Sequence, residues 1–415
     1  LAAESVNGRI WSLRGVRILP EGDLALAVSN RDGPSLLFDG FSPHLSESIL
    51  PVDATPAGGV AWGDADGDGM LDLLLGAGSP PVVDSRIYYN LNGVITGASK
   101  PVLVPSGLGP QNVSFADVDV NGSLDIAIGG ASESQIYLAG QTNRAWASPL
   151  PNARGHVVAW ADADNNGTLD LLTAGYGGPV NLFLNGNGAL GASPAFTTVL
   201  TGNVTSLAWC DIDKDGFPDF AVGNDGQLAR VFHNNRDNTF SPIWDSGFTS
   251  HTTSIACADF NADSYPDLAI GSYQQGTVIF ENSNGALSTK PIWSSPTLSK
   301  TTSIAWGDWN NDGYPELAIG NDGEPDQVFA NLASSPGAPR LFWTWTSREM
   351  NATTGVAWGD YNGDGYLDLA ISQNGSGQSG IYQNTTVRPA HLTSVFTPTM
   401  LLPNSPSYVW IQRPG

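Results

Sequence analysis

The sequence predicts an all-β chain organised as a β-propeller of eight four-stranded blades, with seven blades as the alternative count. Three observations lead there. One acidic motif returns seven times at a nearly constant spacing. Short apolar strands and turn residues fill the interval between copies. Long helical patterns are absent, and the 49 Gly and 28 Pro suit a chain of many short strands and turns.

The first copy is AWGDADGDGMLDLLLG, from Ala61 to Gly76. It returns from Phe115, Trp160, Trp209, Cys257, Trp306 and Trp358. The first aspartates of the seven copies stand at 64, 117, 162, 211, 259, 308 and 360, with steps of 53, 45, 49, 48, 49 and 52. Each period reads as four strands. Ser303-Ile304-Ala305-Trp306 typifies the first, and the acidic loop follows it. Asp219-Phe220-Ala221-Val222 typifies the second, Val231-Phe232-His233-Asn234 the third and Pro242-Ile243-Trp244 the fourth. Four strands per 40–50 residues mark a propeller blade, whose apolar faces its neighbours cover. The N-terminus supplies an eighth unit, with strands at Val16–Leu19, Asp23–Val28, Ser35–Phe38 and Ser48–Leu50 but a loop cut to Pro20-Glu21-Gly22. The units fall at about 13–57, 58–110, 111–155, 156–204, 205–252, 253–301, 302–353 and 354–400, in one domain. Residues 1–12 and 401–415, with strand-like Gly8–Trp11 and Tyr408–Ile411, are expected to close the ring.

Counted from its first Asp, each loop carries Asp or Asn at positions 1, 3 and 5 and Asp or Glu at position 9. Gly holds position 6 in all copies but the fifth, where Ser264 stands. Side chains of alternate residues turn inward, the position-7 carbonyl adds an oxygen, and the last carboxylate closes the shell. Glycine permits the sharp turn. The expected ligands are Asp64, Asp66, Asp68, Met70 and Asp72 in the first loop, and Asp117, Asp119, Asn121, Ser123 and Asp125 in the second. The third offers Asp162, Asp164, Asn166, Thr168 and Asp170; the fourth Asp211, Asp213, Asp215, Phe217 and Asp219. Asp259, Asn261, Asp263, Tyr265 and Asp267 follow, then Asp308, Asn310, Asp312, Tyr314 and Glu316, then Asp360, Asn362, Asp364, Tyr366 and Asp368. The all-oxygen set suits Ca²⁺, about seven ions, one per loop; Mg²⁺ demands stricter octahedral geometry. The first six positions match an EF-hand loop, but position 12 is Leu75, Val222 or Ile319 instead of Glu, and the flanks read as strands. The first and fourth loops, with four carboxylates each, are expected to bind tightest. The fifth is expected to bind weakest, and the N-terminal unit to hold no metal.

Charge supports the metal. The formal net is -23, and 23 of the 40 acidic residues sit at loop positions, where unscreened carboxylates repel. Seven divalent ions would bring -23 to -9. The same charge excludes nucleic acid and anionic membranes as partners. No apolar run reaches the ~18 residues that span a bilayer.

These units resemble FG-GAP/VCBS-type repeats, the calcium-binding blades of integrin α-subunit propellers and of many secreted bacterial proteins. The resemblance runs from about Val16 to about Thr399 on D-x-[DN]-x-[DN]-G-x-x-[DE] and the strand after it, with Trp62-Gly63 where integrins have Phe-Gly. It implies calcium loops on one face, between strands one and two, and ligand binding on the other.

The slot two residues before the first Asp, held by Trp62, Phe115, Trp160, Trp209, Cys257, Trp306 and Trp358, reads as packing between blades. Cys210 occupies the next slot, which faces the other side of the strand, so the reading leaves Cys210 and Cys257 unpaired. Five histidines share no repeat position, and no nucleophile or zinc motif is present. Binding residues are expected in the turns between strands two and three, which differ most between copies: Ser79–Asp84, Tyr176–Gly178, Asp225–Gln227, Tyr273–Gln275 and Asp322–Glu324. The chain therefore reads as a non-catalytic, extracellular binding or adhesion module for a protein or glycan. The alternatives are a polysaccharide lyase or hydrolase, and a purely architectural segment.

Overall fold

The computed structural model describes residues 10–17, 24–30, 36–38, 45, 50–53, 55–78, 84–95, 102–105, 112–130, 132–141, 143–148, 154–198, 202–331, 341–375 and 377–385. All regular structure among them is β. The chain divides into two compact units, Leu1–His44 with Thr385–Gly415, and Leu45–Asn384.

In the first unit, Ile10–Arg17, Leu24–Asn30 and Leu36–Phe38 form an antiparallel sheet in chain order. Its first strand lies earlier than the expected Val16–Leu19. The expected fourth strand does not join it. Leu50–Asp53 belongs to the second unit and pairs with Ser379–Tyr382, the third strand of the last repeat. The last repeat has no described fourth strand of its own, so the segment ahead of the first repeat supplies it. Of the segments expected to close the ring, 1–12 and 401–415, residues 10–12 belong to the first strand of the first unit's sheet, and residues 1–9 and 401–415 lie outside the described residues.

In the second unit each acidic loop joins the first and second strands of an antiparallel sheet. Repeat one runs Ala57–Gly63, Asp72–Ala77, Asp84–Tyr88 and Val102–Pro105 in order. Repeats two, three and six follow the same plan. In repeat four the second and third strands merge into Asp219–Asn234, which doubles back so that Phe220 stacks on Phe232 with centroids 4.8 Å apart. Phe240–Ala258 supplies the fourth strand of repeat four and the first of repeat five.

Second strands are apolar on both faces because both faces are covered. Leu73, Leu74 and Leu75 are all fully buried, as are Leu268, Ala269 and Ile270. First strands lie side by side and are stitched by hydroxyls. Thr205, Thr253, Thr302 and Thr354 each donate to a backbone carbonyl on the first strand of the next repeat; for Thr354 that carbonyl is on Ala57, 2.8 Å away in repeat one.

The aromatic slot packs between repeats, as expected. Trp358 donates its indole N–H to Ala305 O and Trp62 to Ala357 O, each at 3.2 Å. The slot beside it explains the cysteines. A Cβ added to Gly63 would meet Phe115 at 2.6 Å, one on Gly307 would meet Trp358 at 2.6 Å, and one on Gly359 would meet Trp62 at 2.7 Å. The small slot of one repeat thus faces the aromatic slot of the next. Cys210 holds the small slot of repeat four and Cys257 the aromatic slot of repeat five. The two form a disulfide with Cα atoms 6.2 Å apart, correcting the unpaired reading.

Candidate metal centres

The seven loops share one backbone path. Position 4 has positive φ in every copy: Gly67, Val120, Asn165, Lys214, Ala262, Asn311 and Gly363, between 55° and 79°. Position 6 repeats this at Gly69, Gly122, Gly167, Gly216, Ser264, Gly313 and Gly365, between 79° and 90°. Two left-handed residues turn the chain back on its own first carboxylate. In loop one, Asp64 accepts N–H groups from Gly67 at 2.8 Å, Asp68 at 3.0 Å and Gly69 at 2.9 Å. Asp68 accepts the backbone N–H of Met70, the residue whose carbonyl is the expected position-7 ligand, at 2.8 Å. The position-5 to position-7 bond recurs in every loop, at Ser123, Thr168, Phe217, Tyr265, Tyr314 and Tyr366.

Position 9 closes each loop from beneath. Asp72, Asp125, Asp170, Asp219, Asp267, Glu316 and Asp368 are fully buried. Each accepts the N–H of loop position 2 and the N–H at the end of strand three, as Asp72 does from Ala65 at 2.8 Å and Asn90 at 2.7 Å. Burial raises the pKa of all seven and nearby loop carboxylates add to the rise, which His233 partly opposes at Asp219. Asp170 is pushed up to about 6, Asp267 and Asp368 to about 7, and Glu316 to about 8.

The structure brings positions 1, 3 and 9 together in the first three loops. One oxygen each of Asp64, Asp66 and Asp72 lies within 4.8 Å of the others, and so for Asp117, Asp119 and Asp125, and for Asp162, Asp164 and Asp170. Loop four gathers Asp211, Asp213 and Asp215. In loops five to seven position 3 is Asn261, Asn310 or Asn362, whose amide oxygen accepts the N–H of Asp263, Asp312 or Asp364. The residues fit a hard cation. Their ligand atoms are oxygens, carboxylates of like charge converge, and the buried Oδ1 of Asp119 has no hydrogen-bond partner.

Sequence reasoning missed an asparagine at the end of strand three. Asn282 Nδ2 donates to Pro266 O of its own loop at 3.0 Å and to Ile212 O of the preceding loop at 2.8 Å. Asn90, Asn185, Asn234, Asn331 and Asn384 make the same pair of bonds, and Asn90 ties loop one to Tyr361 of loop seven at 2.6 Å. Ala139 takes the place in repeat two. The signal was a recurrent aromatic-x-Asn, as in Phe280-Glu281-Asn282.

The turns between strands two and three also touch across repeats. Tyr176 donates its hydroxyl to Asp225, which also meets His251, and Tyr273 donates to Asp322 at 2.9 Å. Residues 79–83 lie outside the described residues.

Comparison with known families finds the FG-GAP-like repeat at residues 162–222, 211–270 and 259–319, and the FG-GAP repeat at 352–387. No curated protein matches the chain. Two crystal structures of BBS1N in complex with ARL6DN, one soaked with mercury and one with lead, are similar at TM-scores of 0.53 and 0.54 and 13% identity. The match covers 83% and 82% of this chain and 96% of each of those. BBS1N is a β-propeller, and the likeness is one of fold.

Proposed function

For a chain that carries FG-GAP repeats in an all-β, propeller-like fold, we propose a seven-bladed ring held by calcium and serving outside the cell as a non-catalytic binding module for a protein or glycan. The seven acidic loops, each closed by a buried carboxylate, carry the reading. Calcium would be held by the oxygens at positions 1, 3, 5 and 9. It would supply the positive charge that seven clusters of repelling carboxylates lack, binding the first strand of each blade to the second.

The strand count favours seven blades over eight. Each acidic repeat already commands four strands once Leu50–Asp53 is credited to the last one. Bonds from Trp62 to Ala357 and from Thr354 to Ala57 support closure of the seventh blade on the first. The Cys210–Cys257 disulfide supports an oxidising compartment, and weak sites fill where calcium is near millimolar. Ligand recognition is assigned to the strand-two to strand-three turns around Tyr176, Asp225, His251, Tyr273 and Asp322. These vary between blades more than the acidic loops do. BBS1N, captured in complex with another protein, favours a protein ligand.

Two measurements test this. Chelation should lower the melting temperature strongly, because a ligand of the folded state alone stabilises it; unchanged melting in excess EDTA refutes the metal role. Pull-down and glycan-array binding should be lost in Tyr176→Ala and Asp225→Ala. Polysaccharide turnover by the purified chain would overturn the non-catalytic reading.

A further inference from the structure

The residue just before the strand-three asparagine lies against the acidic loop of its own repeat, and its identity differs between repeats four and five. In repeat four it is His233, whose Nδ1 stands 3.0 Å from Asp219 Oδ1 and 3.5 Å from Asp213 Oδ2. Three residues later Arg236 turns back over the loop. Its Nε and Nη2 lie 3.0 and 2.6 Å from Asp215 Oδ2, and its guanidinium sits 5.3 Å from the centre of the Phe217 ring. The other Asp215 oxygen accepts the Phe217 N–H at 2.8 Å. Both oxygens of the position-5 ligand are therefore engaged by the protein, one of them by a full positive charge.

Loop five is the converse. Its sequence is poorer, with Asn261 at position 3 and Ser264 at position 6. The residue just before its asparagine, however, is Glu281. The fully buried amide of Asn261 donates to Asp263 Oδ2 and to Glu281 Oε1, both at 3.2 Å. Two carboxylates thus converge on one N–H₂ group, as they would on a cation. With Glu281 the loop commands Asp259, Asp263, Asp267 and Glu281, as many carboxylates as loop one.

We propose that loop four, whose position-5 carboxylate is already held by the chain's own Arg236, takes calcium last, whereas Glu281 completes loop five as an additional ligand, reversing the order expected from the acidic motif alone. The proposal rests on the calcium reading above. A calcium ion entering loop four must displace a guanidinium already bound to its position-5 ligand. In loop five it replaces only a neutral amide donor.

Native mass spectrometry of the full chain at rising free calcium counts the ions bound. Anomalous diffraction from Tb³⁺-soaked crystals assigns them to loops. Arg236→Ala, with Arg236→Gln as the milder variant, should tighten the weakest binding step by about tenfold, the scale of one partly screened charge contact. Glu281→Gln should weaken one tight step by about tenfold on the same scale. Tb³⁺ should reach loop five of the unaltered protein at a concentration that leaves loop four bare. Equal filling of the two loops, or binding curves unmoved by both kinds of substitution, overturns the proposal while leaving the calcium reading intact. An unaltered protein that binds no calcium at any loop sinks both.

Discussion

Replacing Asn282 by alanine removes one side chain that joins two repeats. Its Nδ2 satisfies Ile212 O at 2.8 Å in loop four and Pro266 O at 3.0 Å in loop five, and the residue is fully buried. The substitution takes this donor from two carbonyls, the buried one of Ile212 and the partly buried one of Pro266. Each such loss costs about 1–3 kcal/mol. One term works the other way: Asn282 Oδ1 is itself buried with no partner, and deleting it relieves a desolvation cost of about 1 kcal/mol. The balance is a destabilisation of about 1–5 kcal/mol on those terms, enlarged if the site fails to collapse around the missing amide. Equilibrium urea unfolding with calcium held in excess measures it. The same variant should also weaken calcium binding to loops four and five, because the lost bonds fix the backbone of both. Repeat two is the natural control, since Ala139 already stands in the equivalent place. A loss below about 0.5 kcal/mol, the noise of ordinary surface substitutions, would refute the claim that this asparagine fastens neighbouring loops together.

In the chelated protein, stability should rise as pH falls from about 8 towards about 5. Asp170, Asp267, Asp368 and Glu316 have folded pKa values raised to about 6, 7, 7 and 8, so the folded state takes up protons before the unfolded chain does. Saturating calcium should remove or invert that slope, and melting curves across pH at both extremes show whether it does. Ser264→Gly should stabilise by about 0.5–1 kcal/mol, because Ser264 holds φ at 79° where the other six loops use glycine; a destabilised variant would count against the strain argument. Cys210→Ser with Cys257→Ser should cost about 2–4 kcal/mol relative to the oxidised protein. Two alkylatable thiols in unreduced, denatured protein would contradict the disulfide.

Much of the candidate site was legible because it is local. The ligands of each loop lie within nine residues, and spacing, charge and the position-6 glycine all report one tight turn. Position 4 was less legible: Val120 and Ala262 adopt positive φ without any sign in their identity. The contributions of His233, Arg236 and Glu281 were hidden because they arrive from the end of strand three or just after it, 14 to 21 residues beyond the carboxylates and amide they meet. The disulfide was misread because both cysteines were considered on one strand. They sit on opposite-facing slots of two adjacent strands, which is the arrangement that brings them together.

By itself the sequence determined the repeat, its four-strand period and the oxygen chemistry of its loops. These follow from side-chain alternation, turn residues and charge within a few residues of one another. Only the tertiary structure decided which strand completes the last sheet. Leu50–Asp53 reads equally well as the end of an N-terminal unit, and its partner Ser379–Tyr382 lies more than 300 residues away. An edge strand carries no mark of its neighbour in its own sequence. Backbone hydrogen bonds are the same for any partner, so the choice falls to tertiary packing.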